Sequence, residues 1–84
     1  MAPVMMLTFI AHSLARIRAA ADHDPIDRGA VRGAGIALGR RVTTAAQRQA
    51  LQALKDAADR DSILRAADAV EQAFREAWDE PGRR

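Results

Sequence analysis

From Ile63 to Ala77 the apolar residues fall three and four apart, at Ile63, Ala67, Val70, Phe74 and Ala77, while Arg65, Asp68, Glu71, Gln72, Arg75 and Glu76 occupy the opposite side. That spacing belongs to a helix with one face to bury. The preceding stretch repeats it with Ala46, Ala50, Leu54 and Ala57, flanked by Leu51 and Ala58, against Arg48, Gln52, Lys55, Asp56 and Asp59. Two amphipathic helices in a row, joined by a turn at Arg60-Asp61, need a third surface to cover their apolar faces.

The N-terminal stretch supplies it. Val4, Leu7, Ile10, Leu14, Ile17 and Ala21 form one stripe, with Met6 and Ala11 on its edges, and Pro3 suits a first helical turn because its missing N–H would be unpaired there. On the wheel, Met5 and Phe9 fall on the other side, beside His12 and Arg16. Two explanations stand for these large apolar groups: a small bundle that wraps helix 1 on both sides, or a docking patch for a second copy or another protein.

The middle of the chain opens with Asp24-Pro25-Ile26-Asp27, in which Asp24 can cap free amides, Pro25 fits the first helical position and Asp27 favours the positive end of the dipole. The helix that follows carries Gly29, Gly33, Gly35 and Gly39. Each glycine in a helix interior costs about 1 kcal/mol relative to Ala. Close approach of a neighbour along Ile26, Ala30, Gly33 and Ala37 is expected to offset that cost, within the chain or between chains. Gly39 is expected to end this helix as a left-handed cap, with Arg40 and Arg41 near the carbonyl end of the dipole.

Gly29 to Gly35 also has the G-x-x-x-G-x-G spacing of short-chain dehydrogenase cofactor loops. A nucleotide fingerprint needs a buried strand before the glycines and a parallel strand after the helix. Asp24-Pro25-Ile26-Asp27-Arg28 is no such strand, and no run enriched in β-branched residues occurs in the chain. No cofactor is expected.

Thr44-Ala-Ala-Gln47 matches a capping box for the third helix, with Thr43 as the competing cap. Asp61 or Asp59 caps the fourth. Pro81-Gly82 follows it. The sequence therefore predicts an all-α compact bundle of four short helices, at Pro3 to Ala21, Pro25 to Leu38, Ala45 to Asp59 and Ser62 to Trp78. One domain over residues 1–80 and a flexible tail over 81–84 are expected, with no repeat or linker between domains.

The formal charge is +2, and its distribution is uneven: residues 1–42 hold six Arg against three Asp, and residues 43–84 hold seven basic against eight acidic residues. There is no Cys, hence no disulfide, thiol chemistry or thiolate metal site, as suits a reducing cytoplasm. The N-terminal apolar run lacks a basic leader and a cleavage pattern, and is short of the ~20 residues a spanning helix needs, so no membrane role is expected. Ala and Arg richness with a single Lys points to a high-GC bacterial genome.

Catalysis would need a nucleophile with a base, paired carboxylates in a pocket or a metal cluster. His12 and His23 are not in ligand spacing with each other, Ser13 and Ser62 have no evident base, and capping accounts for the carboxylates at Asp56, Asp59 and Asp61. No enzyme activity, metal site or small-molecule substrate is expected. The leading expectation is a protein–protein interaction module, acting as a homo-oligomer, an adaptor or a small subunit of a larger assembly. It docks through Met5 and Phe9, with Arg16 at the rim and Trp78 as either a lid on the bundle or a further anchor. The alternative is a nucleic-acid-binding domain that uses Arg28, Arg32, Arg40 and Arg41 on phosphates. The small net charge argues against strong nonspecific binding of that kind.

Overall fold

The computed structural model describes the backbone of residues 3–78 and the side chains of residues 7–77. Four helices follow one another: α1 at Pro3–Ala21, α2 at Arg28–Gly39, α3 at Ala45–Asp56 and α4 at Arg60–Trp78. No strand occurs among the described residues, and the fold is the all-α bundle that the spacing predicts. The side chains of Met5 and Trp78, and the expected tail at 81–84, lie outside the described residues.

Each helix packs on the next, and α1 also packs on α4, which closes the ring. Cross-contacts fix the directions. Asp22, just after α1, pairs with Arg60 at the start of α4, while Arg18 reaches Asp68 and Glu71 further along. Those two helices therefore run antiparallel. Short connections make the other neighbours antiparallel too, giving an up-down-up-down bundle.

The core joins Ile10, Leu14, Ile17, Leu38, Leu54 and Ile63 with Val70, Phe74 and the alanines between them. Fully burying a Leu, Ile or Phe side chain stabilises by about 1.5–3 kcal/mol, and the alanines let the helices approach closely around these few large groups. Of the stripe expected on α1, Leu7 departs: it is 46% exposed. At 1.5 Å per residue, α1 is about 28 Å long and α2 about 18 Å. The first turns of α1, which carry Leu7, extend past its shorter neighbour.

Several helix ends differ from the sequence expectation. Pro25 stands in the turn before α2, following a cis peptide bond from Asp24. The cap is Asp27, whose side chain accepts from the Ala30 amide at 3.1 Å. Its own amide bonds the Ala20 carbonyl at 3.1 Å. The turn thus folds back on α1 and delays the helix to Arg28. Gly39 does not act as a left-handed cap: no described glycine has positive φ, and Arg40 ends the helix in ordinary right-handed geometry.

α3 begins as expected, with Thr44 and Gln47 forming a reciprocal capping box. Gln47 is buried, and its Oε1 accepts from the Thr43 amide at 2.6 Å and the Thr44 amide at 3.1 Å. α4 starts at Arg60, where the Asp59 carboxylate accepts from the Ser62 amide at 2.8 Å.

Of the stripe expected to take a close neighbour, Ile26 packs against the core and Ala30 and Ala37 are half-buried, but no close approach is made at Gly33. Gly33 is exposed, and a Cβ added there would meet nothing within 4 Å. The buried residues of α2 are Ala34 and Leu38. Gly35 and Gly39 instead face the gap between α2 and α3, the pair of neighbours with the least mutual contact.

Candidate functional site

That gap is a groove of about 630 Å³, in the range of small-ligand and peptide sites. Its walls follow from two helical spacings. On α2, Arg28, Arg32, Gly35 and Gly39 recur at three or four residues, with Val31 and Ile36 beside them. On α3, Arg48, Gln52 and Lys55 recur at the same interval, with Leu51 and Leu54 turned toward the floor. Ile63, from α4, closes the bottom.

At two positions the α2 wall of the groove carries no side chain. A Cβ at Gly35 would lie 3.9 Å from Leu54 Cδ2, and one at Gly39 would meet nothing within 4 Å. The α2 backbone therefore forms part of the wall. Ile36 beside it is 56% exposed, the most exposed large apolar side chain described.

Charge segregates sharply. Arg18, Arg60 and Arg75 are committed to carboxylates: Arg18 bridges Asp68 and Glu71 at 2.8 Å each, Arg75 meets Glu71 at 3.2 Å, and Arg60 holds Asp22 at 2.7 Å. The hydrogen bond from the Arg18 guanidinium holds the Glu71 carboxyl below the usual carboxylate value, outweighing the opposing effect of burial. By contrast Arg28, Arg32, Arg48 and Lys55 make no ion pair among the described residues, and the groove lining contains no Asp or Glu. Arg28 alone has a protein acceptor, the Ala58 carbonyl at 2.6 Å. The groove joins four cations without carboxylate partners to an apolar floor.

The residues expected from sequence are only partly gathered here. Arg28 and Arg32 line the groove, whereas Arg40 and Arg41 follow α2 outside its lining. Arg41 stacks over the Phe9 ring at 4.8 Å from its centroid, a cation–π contact worth about 0.5–1 kcal/mol at an exposed site. Phe9 is half-buried against the core, and Arg16 is exposed on α1. By spacing alone Arg48, Gln52 and Lys55 fall on the side of α3 opposite its expected apolar stripe. The signal for the groove is their match in spacing to Arg28 and Arg32, together with two glycines that leave the facing helix bare.

Among the described residues the groove lining holds no Ser, Thr, Cys, His, Asp or Glu; it offers a ligand four cations, the Gln52 amide and an apolar floor. No group of three or more His, Cys, Asp or Glu that could hold a metal occurs among the described residues, and none of the described helices is long and apolar enough to cross a membrane. Comparison with protein-family models, curated proteins and solved structures finds no match.

Proposed function

We propose that the chain is a non-catalytic interaction module that receives an acidic, partly apolar segment of a partner protein in the groove between α2 and α3. One observation carries this reading: Arg28, Arg32, Arg48 and Lys55 surround an apolar floor with no carboxylate among them. A segment that combines carboxylates with Leu, Ile or Phe complements both parts at once. The α1 patch around Met5, Phe9 and Arg16 is the weaker docking face, because Phe9 is half-buried and lies under Arg41. The cysteine-free composition suits a cytoplasmic setting for such a module.

Nucleic acid is the second reading, favoured by the same unpaired cations. A phosphate backbone would satisfy the rim and leave the floor empty. Among the described residues the groove also has no aromatic ring on which a base could stack.

Fluorescence anisotropy separates the two. The probes are a labelled peptide that combines Glu with Leu and Phe, the same peptide with Gln in place of Glu, and a labelled DNA duplex. The proposal predicts saturable binding of the acidic peptide, weak binding of the Gln peptide, and loss of binding in the double variant Arg32→Glu/Arg48→Glu. Tighter binding of the duplex than of the peptide overturns it, as does peptide binding that the double variant leaves unchanged.

A further inference from the structure

The groove is not uniform along its length. Arg28, Arg32 and Lys55 line the end built from the start of α2 and the end of α3, where Arg28 Nη2 donates to the Ala58 carbonyl at 2.6 Å. At the opposite end Arg48 is the one lining cation, and there Gly39 and Val42 border the groove. Three of the four lining cations lie at one end, and the bare backbone of Gly39 lies at the other.

The walls also restrict the shape of an occupant. An extended peptide held by strand addition needs a sheet edge with free backbone groups, and none exists among the described residues. Recognition of a polyproline segment needs an aromatic-lined groove, and this lining has no aromatic residue among those described. The backbone groups of α2 and α3 are engaged within their own helices, so a guest over the apolar floor must satisfy its own amides and carbonyls. A helix does so. Twelve residues in each wall give the groove a length of about 18 Å, which matches about three turns of a guest.

Resting on the docking reading above, we infer that the occupant is an amphipathic helix lying along α2 and α3, with its acidic N-terminal turn at Arg28, Arg32 and Lys55 and a large apolar side chain over Gly35 and Gly39. Acidic residues concentrate at helix N-termini because they complement the dipole there. The three cations meet those carboxylates, and Arg48 lies toward the guest's carbonyl end, where a cation is favoured. The bare backbone at Gly39 provides the space for the anchor: a Cβ there would touch nothing within 4 Å.

The absence of cysteine makes the orientation directly measurable. Single cysteines at Ala58→Cys and Arg40→Cys, both exposed positions at opposite ends of the groove, carry a quencher. The probe is a lactam-stapled peptide of about twelve residues, with Asp and Glu in its first turn and Leu or Phe at i, i+4 and i+7, labelled at either end. The N-terminal fluorophore should be quenched mainly from position 58 and the C-terminal one mainly from position 40. Equal quenching from both positions, or the reverse order, overturns the proposed orientation. Gly39→Met should keep or raise helicity while weakening the peptide by at least about tenfold, as blocking an anchor site does; unchanged affinity overturns the anchor. A proline-containing peptide of the same composition that binds as tightly, and is lost in Arg32→Glu/Lys55→Glu, defeats the helix and leaves the docking reading standing. If neither peptide responds to that double variant, the docking reading itself fails.

Discussion

The Arg28 guanidinium donates to the Ala58 carbonyl at 2.6 Å, so the first residue of α2 is tied to the connection between α3 and α4. The bond spans thirty residues of sequence and braces the charged end of the groove. Arg32, one turn later on the same face, makes no ion pair among the described residues. The two arginines should therefore respond differently to truncation. Arg28→Ala is expected to cost about 0.5–1.5 kcal/mol, the net worth of a typical hydrogen bond, whereas Arg32→Ala should stay within about 0.5 kcal/mol of the parent. Urea unfolding of the two variants checks the contrast.

Gly33 tests whether the α2 glycines serve packing within the chain. With nothing within 4 Å of an added Cβ, Gly33→Ala should stabilise by about 0.5–1 kcal/mol through helix propensity and a less flexible unfolded chain. A fall in stability would mean that a neighbour needs the bare backbone there.

Gln47 holds the start of α3 from inside the core. Its Oε1 is the acceptor for the Thr43 and Thr44 amides, and the residue is 1% exposed. Gln47→Leu leaves those amides without that acceptor and should cost about 1–3 kcal/mol. Thr44→Ala removes the other half of the box, in which the Thr44 side chain accepts from the Gln47 amide at 3.1 Å, and should cost about 1 kcal/mol. Thermal unfolding followed by circular dichroism measures both.

Glu71 sets a pH dependence. Its pKa in the folded chain is lowered from 4.5, chiefly by the hydrogen bond from Arg18. The stabilisation is therefore fully present above pH 4.5 and is lost as the pH falls through the lower folded value. The Asp59 carboxyl is lowered in the same direction by its bonds from Ser62. Because the Arg18 and Glu71 side chains are 37% and 34% exposed, the pair should be worth no more than about 1 kcal/mol. Stability measured from pH 7 to pH 3 should fall less steeply below pH 4.5 in Glu71→Gln than in the parent; identical acid limbs would contradict the assignment.

Much of the fold was legible because burial and helical spacing coincide. Ile63, Ala67, Val70 and Phe74 are all buried, as the spacing of α4 predicts. Thr44 and Gln47 make the capping box that their separation predicts. The start of α2 was misread because Asp24-Pro25 and Asp27 both carry helix-start chemistry. A tertiary contact, from the Asp27 amide to the Ala20 carbonyl, accompanies the later start. Leu7 was misread because helical spacing carries no information on where a neighbouring helix stops. The groove was the least legible feature. Arg48 and Lys55 look like ordinary solvated residues until α3 is set beside the glycine face of α2, a relationship between helices that neither helix contains by itself.

The most direct test of the groove is an amide NMR titration of the uniformly 15N-labelled chain with the acidic amphipathic peptide. The account predicts that the largest saturable shifts fall on Arg32, Gly35, Gly39, Leu51 and Lys55, with Phe9 and Arg16 little affected. Shifts concentrated on α1 around Phe9 and Arg16, or no saturable shifts in α2 and α3, would contradict it.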